Sequence, residues 1–99
     1  MAMSDSDLSA LVAELRADYQ LPPYMGDQVI SRSVSRVEHI LEGLRPGSDF
    51  VTDPVGRGLL KDGVYYDLNH RLEEFQGNYL GDILQWQLSE EVDSEDTGE

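Results

Sequence analysis

The chain has 99 residues, no cysteine, 39% hydrophobic residues and a formal net charge of -13. That length makes one small domain with a modest core, and the absence of cysteine excludes a disulfide framework and a thiolate metal site. Seven Lys and Arg against 20 Asp and Glu exclude the broad basic footprint that phosphate contacts require.

The acidic start "MAMSDSDLSA" lacks the positive and apolar segments of a secretory leader. In "SDSDLSALVAELRADY", Leu8, Leu11, Val12, Leu15 and Tyr19 recur three and four apart, which predicts a first helix. Ser4 or Ser6 can cap it, and Asp5 and Asp7 suit its positive end. Pro22 and Pro23 in "LPPYMG" break it.

A second helix is predicted from about Asp27, a plausible cap, to Leu44, with "RPG" as the stop. Its apolar face holds Val29, Ile30, Val34, Val37, Ile40, Leu41 and Leu44. Glu38 and Glu42 lie along one flank, and Arg32, Arg36 and His39 along the other. Either both flanks are simply solvated, or the acidic edge meets the basic edge of an identical neighbour, a head-to-tail contact that can close into a ring. Arg32, Arg36, Glu38 and Glu42 are therefore subunit-contact candidates.

The Gly/Pro-rich connector "RPGSDFVTDPVGRG" admits a short extended piece at Phe50 to Thr52. Asp53-Pro54 is a good helix opening, but Gly56, Gly58 and Gly63 weaken it, so the secure helix is placed from about Leu59. From there to Leu88 one stripe holds Leu60, Val64, Leu68, Leu72, Phe75 and Tyr79, with Tyr65 on its margin. A second group, Leu59, Tyr66, Leu80, Leu84 and Leu88, lies off that stripe. A helix facing one core needs one apolar face. Two faces mean either a break near Gly77 and Asn78 or a helix that packs on its own core and on a partner. Trp86 suits either a partner interface or the core.

The fold class expected is all-α: a small bundle of three to four helices over residues 1–89, with the connector before the last helical region. Residues 90–99 are acidic and poor in apolar side chains, the composition of a disordered tail. No apolar run is long enough to cross a membrane.

Chemistry is weakly indicated. In "VYYDLNHRLEEF", Asp67 with Arg71 and His70 with Glu74 are four apart and predict ordinary helix ion pairs. Only His39 and His70 are available as imidazole ligands, and they lie on different helices, so no metal or other cofactor is expected. "PVGRGLLKDG" lacks the phosphate-loop pattern, and no catalytic residue stands out.

The stretch "RGLLKDGVYYDLNHRLEEFQGNYLGDILQWQLSEE" resembles the final helical region of small head-tail connector (adaptor, or head-completion) proteins of tailed phages and prophages. The matching positions are Leu59, Leu60 and Lys61, then Tyr65 and Tyr66, then Asn69, Glu73 and Phe75, then Tyr79, Leu80, Ile83 and Leu84. The upstream layout is similar too, except that "LRADYQLPPYMGD" carries two prolines where the family has an acidic loop. The resemblance implies a non-enzymatic virion protein, made in the host cytoplasm and placed at the head-tail interface. Copies would form an oligomeric ring between the portal protein and the tail or next connector, extending the DNA channel. It makes Leu80, Leu84, Trp86 and Leu88 portal-interface candidates. The alternative reading is an acidic DNA mimic or inhibitor of a basic partner.

Overall fold

The computed structural model describes residues 3–88, and those residues form helices and turns without a strand. The expected tail at 90–99 lies outside the described residues. The order is α1 (Asp5–Tyr19), α2 (Asp27–Leu44), α3 (Pro54–Leu68), α4 (Leu72–Asn78) and α5 (residues 80–88).

Ser4 opens α1, its Oγ accepting the Asp7 N–H at 3.1 Å, and Asp5 and Asp7 occupy the favourable first turn. Leu11, Val12 and Leu15 are its buried face. The helix ends with Gln20 at φ 51, in the left-handed region, while the Leu21 N–H returns to the Arg16 carbonyl at 3.2 Å.

α2 starts where the sequence places it, but Gly26 is the cap and Asp27 the first helical residue. The Asp27 carboxylate instead accepts the Arg16 guanidinium at 2.6 Å, joining the end of α1 to the start of α2. Ile30, Val34, Val37 and Leu41 are buried as patterned, whereas Val29 and Leu44 lie at the open margins of the stripe. Ser33 joins the buried set because its hydroxyl donates to Asp67 Oδ2 at 2.6 Å across to α3.

Phe50 to Thr52 is a turn rather than an extended piece. The Asp49 side chain accepts the Val51 and Thr52 N–H groups, and the Asp53 N–H returns to the Asp49 carbonyl at 3.0 Å. That curl drives Phe50 into the core. α3 also begins earlier than Leu59, because Asp53 Oδ1 caps the Val55 N–H at 3.1 Å and Pro54 presets the first turn. Two of its glycines are contact points. A Cβ at Gly56 would lie 2.8 Å from Asp53 Oδ2, and one at Gly63 would lie 2.6 Å from Val37 Cγ1.

The last helical region breaks twice. At 69–71, His70 takes φ 61, its N–H bonds the Asp67 carbonyl at 2.9 Å, and the Arg71 N–H bonds the Tyr66 carbonyl at 2.8 Å. This is a Schellman closure with histidine where glycine is usual. The second break, at Tyr79 just past Gly77 and Asn78, separates α4 from α5. The breaks fold Phe75 against Tyr66 and Tyr79, at ring separations of 5.9 and 4.8 Å, and bring α5 back over the connector.

Candidate functional site

α5 presents two faces of opposite character. Ile83 and Trp86 are 4% and 1% exposed, whereas Leu80, Leu84 and Leu88 are 57%, 48% and 56% exposed. At about 100° per residue, the three leucines form one continuous row and the buried pair points well away from it. Among the interface candidates, therefore, the structure brings Leu80, Leu84 and Leu88 together on one open ridge and corrects the placement of Trp86.

Trp86 is held in the core by its polar edge. Its indole N–H donates to Asp53 Oδ2 at 2.8 Å, its ring lies 6.0 Å from Phe50, and the Arg45 guanidinium stands 5.2 Å from its centre. Asp53 also pairs with Arg45 at 3.0 Å and caps α3, so one carboxylate ties α2, α3 and α5. Burial alone would raise the Asp53 pKa. The Trp86 indole, the Gly56 N–H, Arg45 and the Val55 N–H outweigh it and hold the carboxyl below its ordinary range. The Gln87 amide adds a second tie, donating to the Leu44 carbonyl at 2.6 Å at the end of α2.

The subunit-contact candidates separate. Arg36 reaches across to Asp67 on α3, an ion pair inside the chain. Glu38 and Glu42 are half-buried, and burial raises the Glu38 pKa. Arg32 is exposed. Arg16, Arg36, Arg45, Arg57, Lys61 and Arg71 each hold an ion pair, and Arg32 is the one Lys or Arg left without one among the described residues. Glu14 is the hub of one such group, taking Arg57 at 2.6 Å and Lys61 at 3.2 Å, and these partners lower its pKa, the Arg57 hydrogen bond most.

The ion pairs expected within "VYYDLNHRLEEF" do not form. The break at His70 removes the helical spacing, so Asp67 turns to Arg36 and Arg71 pairs with Glu74 at 2.6 Å. His70 is exposed in that joint, and no three His, Asp or Glu side chains among the described residues converge as a metal site. No described helix is long and apolar enough to cross a membrane.

A second feature was not anticipated. A groove of ≈ 380 Å³ runs between α3 and α5, lined by Val55, Gly58 and Leu59 on one side and by Asp82, Gln85 and Trp86 on the other. Asp62 and Tyr79 also line it. The Tyr19 hydroxyl donates to Asp62, and burial with the Asp62 charge nearby pushes the Tyr79 hydroxyl up to about 12. The available signal was Gly58, a glycine inside a helical pattern.

Comparison with known protein families, with curated proteins and with solved structures finds no match for this chain.

Proposed function

We propose that this chain is a structural protein that docks through α5, serving as a ring-forming connector between a phage portal and the tail or next connector. The observation that carries the reading is the open row of Leu80, Leu84 and Leu88 on a helix whose other face is already filled by Ile83 and Trp86. Three large apolar side chains in register are what a partner helix or groove recognises. The resemblance of residues 57–91 to head-tail connectors supplies the identity of that partner, the portal. The pairing of most basic side chains inside the chain leaves an acidic surface, which suits a channel that passes DNA without holding it. A charge of -13 opposes self-association, so the ring forms on the portal as template rather than in free solution.

The mimic reading is less well supported. Asp27, Asp53, Asp67 and Glu14 are spent on arginines of the same chain rather than ranged on one open face.

The test combines deletion and docking. A phage lacking the chain is expected to yield capsids that neither retain DNA nor join tails. The purified chain is expected to bind the portal of the same phage, and Leu84→Asp to abolish that binding while keeping wild-type helicity. Normal particles from the deletion, or unchanged binding by the variant, would overturn the proposal.

A further inference from the structure

We infer that the groove between α3 and α5 is a second docking site, which takes a segment of a protein partner carrying a lysine or arginine beside an aliphatic side chain. Leu59 and Trp86 are buried at its base, and Val55 and Asp82 stand exposed at its edges. The groove is thus apolar below and carries carboxylates, Asp62 and Asp82, with no basic residue among the described residues that line it.

Gly58 is the second observation. Gly56 and Gly63 on the same helix are explained by contacts that a Cβ would violate, at 2.8 and 2.6 Å. A Cβ at Gly58 meets nothing within 4 Å, and its backbone is ordinary helix. A helix-interior glycine lowers stability relative to alanine, and no contact among the described residues calls for one here. Its effect is to keep the groove open and the α3 backbone approachable.

Charge selects the occupant. The chain's own acidic segment 89–99, a second copy of this chain at -13, and nucleic acid all bring negative charge to Asp62 and Asp82. A cationic side chain is attracted instead, and a neighbouring aliphatic group packs on the exposed Pro54 and Val55 at the groove edge. Asp82 lies on the side of α5 opposite the leucine row, and Gln85 lies between the two. Substitutions at Asp82 and at Leu84 therefore test the two surfaces separately, and this inference stands apart from the connector reading.

The experiment uses the full chain, isotope-labelled, with designed amphipathic peptides of about 15 residues. One peptide carries a central arginine among leucines, its companion carries glutamate there, and spermine is added alone. NMR shifts and the fluorescence of Trp86, the single tryptophan, report binding. The arginine peptide is expected to move the Gly58, Asp82, Gln85 and Trp86 indole signals saturably, and the glutamate peptide to bind about tenfold more weakly or less. Gly58→Leu and Asp82→Lys are each expected to weaken binding about tenfold, and Leu84→Asp to leave it unchanged. Asp82 is exposed, so its variant carries the test even if Gly58→Leu fails to fold. The inference is overturned by no saturable shift at the groove, by equal binding of both peptides, by shifts on the leucine row that Leu84→Asp removes, or by spermine alone matching the arginine peptide.

Discussion

The Trp86 indole N–H sits 2.8 Å from Asp53 Oδ2, joining the last described helix to the cap of α3. Trp86→Phe keeps an aromatic ring but takes this donor from the half-buried Asp53 carboxylate and leaves Arg45 on the same oxygen, which is expected to cost about 1–3 kcal/mol in urea unfolding. A variant within error of wild type would show that the indole bond contributes nothing.

The same carboxylate sets a pH dependence. Asp53 has a folded pKa below its ordinary 3.8. Its contribution is therefore complete above the unfolded value and is lost as pH falls through the lowered folded one. Asp53→Asn keeps a capping side chain and removes the titration. Between about pH 5 and about pH 2, wild type is expected to lose stability more steeply than Asp53→Asn. Parallel curves from denaturant titrations would refute this.

α1 and α2 were legible because their apolar spacing follows the helical period and their ends carry local signals in Ser4 and in Pro22-Pro23. The last region was not. Leu60, Val64, Leu68, Leu72 and Phe75 keep helical spacing straight across the joint at His70, so periodicity cannot see the break. The decisive facts there are non-local. Gly63 is fixed by Val37, and Gly56 by Asp53 and Trp86, partners that are distant in sequence or reached through a turn. The ambiguity of Trp86 was resolved by Asp53, 33 residues away. The exposed row on α5 could be read as a second apolar group, while the groove beside it depended on knowing that α5 folds back on α3.

The glycines of α3 should respond with opposite signs. Gly58→Ala adds helix propensity in open space and is expected to stabilise by about 1 kcal/mol. Gly63→Ala places a Cβ 2.6 Å from Val37 Cγ1, and overpacking of this kind costs about 1–3 kcal/mol. Chemical unfolding of the two variants side by side decides the matter. The same sign for both would contradict the packing of α2 on α3.

His70 holds a left-handed backbone at φ 61 without being glycine. That conformation penalises a residue with a Cβ, while glycine adds freedom to the unfolded chain. The difference favours His70→Gly by about 1 kcal/mol or less. His70→Val, β-branched and poorly suited to positive φ, moves the other way. Melting temperatures should rank glycine above wild type and wild type above valine. If valine matches glycine, α3 and α4 are not joined by this closure.

The two faces of α5 make the sharpest contrast. Leu84→Asp and Leu80→Asp change side chains already open to water, and each is expected to alter stability by no more than about 0.5 kcal/mol. Ile83→Asp, one residue from Leu84, buries a carboxylate with no planned partner in the core. A cost of about 3 kcal/mol or more is expected there. Circular dichroism with urea titration separates the cases. If Leu84→Asp unfolded the chain as Ile83→Asp does, the leucine row would be part of the protomer's own core, and no face of α5 would remain for a partner to cover.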